Sequence, residues 1–193
     1  MIYLASQSPR RHELLSQLGV QFDVIDVQVH EQRQASELPA DYVNRVAREK
    51  AVAGLLQLLG NSTAIVIGAD TDVVLNDRVL GKPETSEQAF QMLKQLSGCK
   101  HEVISAVWLV SVKREAHCIV RSTVGFAELS DQEIVDYVAS GEPFGKAGGY
   151  AIQGKAAAFI SSLEGSYSGV MGLPVHETYK LLQEFNVPVW AGG

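Results

Sequence analysis

The chain opens with MIYLASQSPRRHELLSQLG, residues 1–19, a stretch that predicts a strand, a tight loop and a helix. The apolar run at residues 2–4 suits a short buried strand. Ser8 is a good N-cap, Pro9 fits the first helical position, and Gly19 supplies a stop. Because the N-terminus of a helix favours negative charge, the loop predicts a place where an anion can bind.

Two arginines strengthen that expectation. Arg10 and Arg11 fall in the first turn of the predicted helix, where their positive charge opposes the helix dipole. Together with the hydroxyl groups of Ser6 and Ser8, the two guanidinium groups indicate a phosphate-binding loop. The alternative is an ordinary capped helix on the surface.

The composition limits the function further. The net charge of −6 argues against a general nucleic-acid binder, although local basic residues still allow a small anionic ligand. The two cysteines form no CxxC pair, no signal-peptide pattern is evident, and no apolar run approaches the ~18 residues of a membrane span. We therefore expect a cytoplasmic protein without a nucleic-acid or membrane partner.

Beyond residue 19, strands and helices alternate, and a hairpin-plus-helix unit follows. The pattern predicts strands at residues 22–27, 63–68, 73–75 and 157–161, a hairpin at 101–112 and 118–127, helices from Pro39, Ser86, Ser130 and Pro174, and loops at 141–154 and 165–172. This order predicts an α/β fold with a mixed sheet.

Three charged residues are placed by these predicted elements. Asp70 is expected just past the end of the strand at residues 63–68, at the sheet edge where open α/β folds bind ligands. A simple turn is the alternative, because aspartate favours turns. Lys50 is expected at the polar edge of a helix and Lys82 in a loop, where each could be an ordinary solvated lysine.

Charged and hydrogen-bonding residues outside the elements, or at their ends, form one chemically coherent set. The set is Ser6, Ser8, Arg10, Arg11, Glu31, Lys50, Asp70, Lys82 and Gln153. Its cations can neutralise a polyphosphate, and its carboxylates can hold a hard divalent ion through oxygen. The five histidines lack the spacing of a zinc site, and no Gly-x-Ser-x-Gly motif is present. The residue types therefore favour phosphoryl chemistry.

At this point the chain resembles a known family, the Maf proteins, which are nucleoside triphosphate pyrophosphatases once described as septum-formation inhibitors. The resemblance runs from Leu4 to about Leu182. It rests on LASQSPRR, Glu31, VNRVAREKA around Lys50, GADT at residues 68–71, GKP at 81–83, KAGGYAIQG at 146–154 and GSYSGVMGLP at 165–174.

The resemblance implies a single domain over residues 1–193, with a two-lobed α/β fold of the Maf/ITPase-like kind, a long mixed sheet and a deep central cleft. It implies hydrolysis of a nucleoside triphosphate to the monophosphate and pyrophosphate with Mg²⁺ or Mn²⁺. The removal of non-standard nucleotides and assembly as a homodimer are implied in the same way.

The resemblance also implies roles for single residues. Asp70 resembles the general base, and Glu31 resembles a metal ligand that acts with it. Arg11, Lys50 and Lys82 match the phosphate-binding cations, which the hydroxyl groups of Ser6 and Ser8 would assist.

One subgroup of the family prefers dTTP and UTP, and the other prefers 7-methyl-GTP. Arg10, Thr71 and Gln153 match the first subgroup at all three distinguishing positions. Asp72 departs from the family pattern, which has an apolar residue there, and we expect its side chain to point to solvent.

Three other functions remain open at this point. The chain could be a 7-methyl-GTP pyrophosphatase, a nucleotide-binding regulator of cell division with little turnover, or a phosphotransferase of the P-loop kind. The chain has a candidate general base as well as phosphate-binding cations, and a protein that only binds nucleotides does not need a general base. The missing Walker spacing argues against the phosphotransferase.

Overall fold

A computed structural model describes residues 1–190 of the chain. The elements are β1 (Ile2–Leu4), α1 (Pro9–Ser16), β2 (Phe22–Val24), α2 (Pro39–Gln57), β3 (Ile65–Leu75), β4 (Arg78–Val79), α3 (Ser86–Leu96), β5 (Lys100–Ser111), β6 (Glu115–Phe126), α4 (Asp131–Ala139), β7 (Ile160–Glu164), α5 (Tyr167–Met171) and α6 (Val175–Glu184). Short 3-10 turns at Ala147–Gly149 and Lys155–Phe159 complete the set.

The strands form one mixed sheet in the order β2-β1-β3-β5-β6-β7, with β4 paired to β3. Strand β1 runs parallel to both β2 and β3, whereas the β3–β4 and β6–β7 pairs are antiparallel. This sheet confirms the predicted α/β class with mixed strand directions. The predicted central cleft stays a prediction.

Strand β3 is longer than predicted. It continues through Gly68 to Leu75, so the prediction that Asp70 follows the end of a strand is wrong. Gly68 does not end the strand but lets helix α2 lie directly on it. A Cβ atom at this position would lie 2.3 Å from the Ala47 carbonyl oxygen and 2.5 Å from the Ala51 nitrogen. The glycine therefore marks a close approach of two backbones, one of the two meanings that a glycine inside a strand can have.

Two further predictions of local structure were wrong. The strand expected at residues 157–161 begins only at Ile160, because residues 155–159 form a 3-10 turn. The carboxylate of Glu142 stabilises that turn by accepting hydrogen bonds from the backbone N–H groups of Lys155 and Ala156 at 3.0 and 3.3 Å. The loop expected at residues 165–172 contains the short helix α5, which begins after the capping hydroxyl of Ser166.

The chain divides into two compact units. The first comprises Met1–Asp70, Ser105–Val120 and the residues from Gly172 onward, and the second comprises Thr71–Ile104 and Arg121–Met171. Strands β3, β5 and β6 each contribute residues to both units.

The first unit contains both tryptophans. Trp108 is buried, stacks on His117 with ring centroids 4.2 Å apart, and donates a hydrogen bond from Nε1 to Asn44 in α2. Trp190 is 63% exposed and stacks on Tyr179 in α6. Strand β5 and helix α2 are thus joined by a buried indole.

The second unit has an aromatic core between its sheet strands and helices α3 and α4. Phe126 packs edge-to-face against Tyr150 and His101, and His101 Nε2 lies 2.7 Å from the Tyr150 hydroxyl oxygen. Burial lowers the pKa of His101 to about 4 and raises the pKa of Tyr150 well above its usual value. Both groups are therefore neutral near pH 7.

Among the helices of residues 1–190, none combines the length and the apolar character that a membrane crossing requires.

Candidate active site

The centre of the candidate site is a lysine held between two carboxylates. Lys50 Nζ lies 2.6 Å from Glu31 Oε1 and donates a hydrogen bond to Asp70 Oδ1 at 2.7 Å. Helix α2 supplies Lys50, β3 supplies Asp70, and the segment after β2 supplies Glu31. Because α2 and β3 touch at Gly68, the two elements can bring Lys50 and Asp70 into direct contact.

This cluster is largely removed from water. Lys50 is 8% exposed and Asp70 is 7% exposed, whereas the Glu31 side chain keeps 37% of its surface accessible. The prediction that Lys50 sits at the polar edge of its helix is therefore wrong. A lysine this deeply buried needs an anionic partner, because an unpaired buried charge is costly. The helical pattern around residue 50 could not show that partner, which comes from two other segments.

The loop after β1 forms a second group of polar side chains in the same unit. Ser6 Oγ accepts hydrogen bonds from the Ser8 backbone N–H at 3.2 Å and from Arg11 Nη1 at 3.3 Å. Arg11 Nε also donates to the Gly172 carbonyl oxygen at 2.8 Å. The guanidinium group of Arg11 is thus oriented by a residue 161 positions away, which sequence reasoning missed.

Arg10 is the neighbour of Arg11 and shares its positive surroundings. Burial and the adjacent charge of Arg11 together hold the pKa of Arg10 below its usual value. An anion would stabilise two adjacent guanidinium groups, and the phosphate-binding role of this loop stays a prediction.

The register of the sheet places the loop after β1 and the Lys50 cluster beyond the same pair of residues in neighbouring strands. Leu4 in β1 pairs with Ile67 in β3, and the Ala5 backbone N–H donates to the Ile67 carbonyl oxygen at 2.8 Å. Ser6 and Asp70 both follow that pair along parallel strands. Ligands in open α/β sheets bind at the carboxyl ends of the strands. The pair marks such an end for β1 only, because β3 continues to Leu75.

The remaining predicted site residues belong to the second unit. Thr71 lies in β3, Lys82 is exposed in the loop after β4, and Gln153 is exposed in the turn before residue 155. The loop of Lys82 is tied to the 3-10 turn at Ala147–Gly149, because the Gly148 N–H donates to the Gly81 carbonyl oxygen at 2.8 Å. The convergence of Arg10 with Thr71 and Gln153 stays a prediction.

The 3-10 turn that directly follows Gln153 is organised by Glu142, a residue that sequence reasoning also missed. Besides its two backbone donors, Glu142 accepts a hydrogen bond from the Tyr137 hydroxyl at 3.0 Å. A Cβ atom at Gly154 would lie 2.4 Å from Glu142 Oε1, so a larger residue there would displace the Glu142 carboxylate. A lone acidic residue in a glycine-rich loop was the available signal.

Asp72 does not point to solvent as expected, since it is only 7% exposed. The expectation assumed that β3 ended before this residue. Because the strand continues through it, its side chain lies within a covered part of the sheet.

The donor set fits a hard divalent ion in its chemistry. Glu31 and Asp70 both place a carboxylate oxygen on one cation, the Lys50 ammonium, so they can approach a common point. Within residues 1–190, no cluster of three histidine, cysteine or acidic side chains with metal-binding geometry occurs. Mg²⁺ is commonly held by one or two carboxylates, with water and substrate phosphates completing its shell, and two carboxylates satisfy that need.

Comparison with known proteins points to one family. The family model described as Maf-like protein matches residues 1–185. A protein from Xanthomonas axonopodis pv. citri, named dTTP/UTP pyrophosphatase, is 54% identical over 96% of this chain and 98% of its own length. Proteins with the same name from a strain of Escherichia coli and from Photorhabdus laumondii are 51% and 48% identical, covering 96% and 95% of this chain and 93% of their own lengths.

Proposed function

This chain belongs to the Maf-like protein family, and we propose that it hydrolyses dTTP and UTP to the nucleoside monophosphate and pyrophosphate. The observation that carries the proposal is the buried cluster in which Asp70 and Glu31 share the ammonium group of Lys50. Relatives that share about half of their residues with this chain over nearly their full lengths are named dTTP/UTP pyrophosphatase, which supports the substrate class.

The reaction breaks the bond between the α-phosphorus and the oxygen that bridges to the β-phosphorus. A water molecule attacks the α-phosphorus, its proton passes to a base, and pyrophosphate departs with the bridging oxygen. Asp70 is the proposed base, because it is a buried carboxylate beyond the end of the neighbouring strand β1, and before substrate binds it is held by Lys50. An aspartate is a weak base at neutral pH, so its contribution depends on positioning the water.

The phosphates are proposed to bind at the loop after β1 and at Lys82. Arg11 is already oriented by Gly172 and Ser6, so little side-chain freedom remains to be lost when an anion binds. Negative charge that builds on departing pyrophosphate is stabilised by fixed cations placed in advance.

Glu31 and Asp70 would hold a divalent ion, Mg²⁺ or Mn²⁺. Bound there, such an ion supplies charge neutralisation for the polyphosphate and makes water more acidic. The side chains of this chain then bind and orient the triphosphate and accept the proton.

We propose that Arg10, Thr71 and Gln153 recognise the nucleobase of the substrate. Uracil and thymine each present two carbonyl acceptors and one N–H donor. A guanidinium group donates, an amide both donates and accepts, and a hydroxyl does either, so the three side chains can satisfy that pattern.

The test is a product assay with UTP, dTTP, CTP, GTP, ATP and 7-methyl-GTP, each with Mg²⁺, with Mn²⁺ and with excess chelator. We expect pyrophosphate from UTP and dTTP, and its loss with chelator. Orthophosphate as the first product would overturn the bond assignment. Tight nucleotide binding without any product would instead identify a binding protein.

A further inference from the structure

The ammonium group of Lys50 lies between Glu31 and Asp70, the two proposed ligands of a divalent ion. Its Nζ atom lies 2.6 Å from one carboxylate oxygen and 2.7 Å from the other. Contacts this short are charge-assisted hydrogen bonds, and the lysine is 8% exposed. The ammonium group is therefore a resident cation within the cluster rather than a solvated side chain that happens to be near.

The charges of the cluster disfavour the presence of both cations at once. Two carboxylates balance two positive charges at most, whereas an ammonium and a divalent ion together carry three. Like charges at contact distance in a poorly hydrated site repel strongly. A divalent ion can join both carboxylates only when the ammonium has left them.

We propose that Lys50 holds the metal position until substrate arrives, and that its ammonium group then transfers from the two carboxylates to the triphosphate. The inference rests on the proposed function for the identity of that anion. It makes metal binding and nucleotide binding depend on each other through one side chain.

The surroundings of Lys50 support this exchange. The neighbouring acid in the sequence, Glu49, is engaged by Arg45, which donates to it at 3.0 Å. Arg45 is also bound to Glu37 at 2.7 Å. Glu49 is thus already paired, and a triphosphate bound near Lys50 would offer the displaced ammonium group a new anion.

The first experiment measures Mn²⁺ binding by calorimetry to the nucleotide-free protein. Lys50→Met and Lys50→Gln remove the resident charge, and Lys94→Met removes an exposed lysine paired with Asp131 as a matched control. We expect both Lys50 variants to bind Mn²⁺ at least about tenfold more tightly than the wild type. The control should keep the wild-type Kd. Equal or weaker binding by folded Lys50 variants overturns the proposal.

A second measurement uses the wild-type protein, so that it decides the question even if the Lys50 variants do not fold. The amine of Lys50 is acetylated by a soluble reagent and quantified by peptide mass spectrometry. Saturating Mn²⁺ should raise the labelling rate of Lys50 about threefold or more and leave that of Lys94 unchanged, because only Lys50 loses its ion pairs. An unchanged or slower rate at Lys50 overturns the proposal.

These outcomes are separate from those of the product assay. A wild-type protein that releases no pyrophosphate from any triphosphate overturns the proposed function. The competition between Mn²⁺ and the Lys50 ammonium is still decided by the nucleotide-free measurements.

Discussion

Asp70 combines two roles that a substitution can separate. Its carboxylate is the proposed base, and it also balances the buried ammonium of Lys50. Asp70→Asn keeps the shape but cannot take up a proton, so kcat should fall about 100-fold or more. The free energy of unfolding should fall by about 1–3 kcal/mol, because Lys50 keeps Glu31 as a partner. Pyrophosphate release and urea unfolding check both numbers.

The matched control for Asp70→Asn is Asp23→Asn on the exposed edge strand β2, which should change neither quantity. More than about a tenth of the wild-type kcat in Asp70→Asn would rule out Asp70 as the base.

Arg11 and Lys82 are both proposed phosphate ligands, yet the structure distinguishes them. Lys82 is exposed, so Lys82→Ala should raise KM without changing Tm. Arg11 holds the Gly172 carbonyl and Ser6, so Arg11→Ala should raise KM and also remove about 1 kcal/mol of stability. Steady-state kinetics and thermal melts on both variants provide the comparison. Normal kinetics in either variant would return that residue to an ordinary surface role.

His101 makes the stability of the protein sensitive to acid. Its pKa is about 4 in the folded chain, against about 6.5 when unfolded, so the unfolded state binds the extra proton between these values. The free energy of unfolding should therefore fall by up to about 3 kcal/mol as the pH drops from 6.5 to 4. His101→Gln, which can still bond Tyr150 but does not titrate, should flatten that decline. Urea unfolding at several pH values compares the two proteins, and equal slopes would contradict the assignment.

Among the secondary-structure elements, the sequence predicted the starts of helices better than the ends of strands. The helices expected from Ser86 and Ser130 both form, and α4 opens with a local capping box of Ser130 and Glu133. Strand β3 was misjudged because Gly68 has two possible meanings, a strand end or a close contact. Only the position of α2, set by packing between distant segments, decides between them.

The 3-10 turn that directly follows Gln153 offers a prediction at the scale of the element. Glu142 holds the turn through the N–H groups of Lys155 and Ala156. Glu142→Gln has one acceptor oxygen instead of two, so we expect a loss of about 1–2 kcal/mol of stability. Discrimination between UTP and CTP should also shrink, since the turn that follows Gln153 loses its support. The kcat/KM ratio for these two substrates measures that effect.

Glu128→Gln, in an exposed part of the same unit, is the control for Glu142→Gln. An unchanged UTP to CTP ratio in a destabilised Glu142→Gln protein would show that the turn is structural and does not position the base-reading amide.

At the scale of the molecule, the sequence predicted the α/β class and the residue types of the site but not their pairing. Glu31, Lys50 and Asp70 were each identified from separate motifs, with Lys50 assigned to phosphate. Their contact depends on three elements meeting, and spacing along the chain carries no such information. Family resemblance supplied the roles, whereas physical reasoning from single residues left solvated alternatives open.

The proposed base recognition assigns roles to residues of both units, since Arg10 belongs to one and Gln153 to the other. UTP and dTTP should have the highest kcat/KM, since a wrong base leaves site groups unpaired at about 1–3 kcal/mol each. Gln153→Glu should weaken the preference, because a carboxylate cannot donate to a carbonyl oxygen. Values equal within about threefold for all triphosphates would remove the specificity claim and leave the hydrolysis intact.

The placement of Trp108 and Trp190 in one unit has a spectroscopic consequence. The tryptophan emission of this protein therefore reports on the first unit only. The aromatic residues of the second unit include Tyr137 and Tyr150. A melt followed by tryptophan emission thus follows only the first unit. Its superposition on the far-ultraviolet dichroism curve would show that both units unfold in one cooperative step, whereas separate midpoints would reveal two.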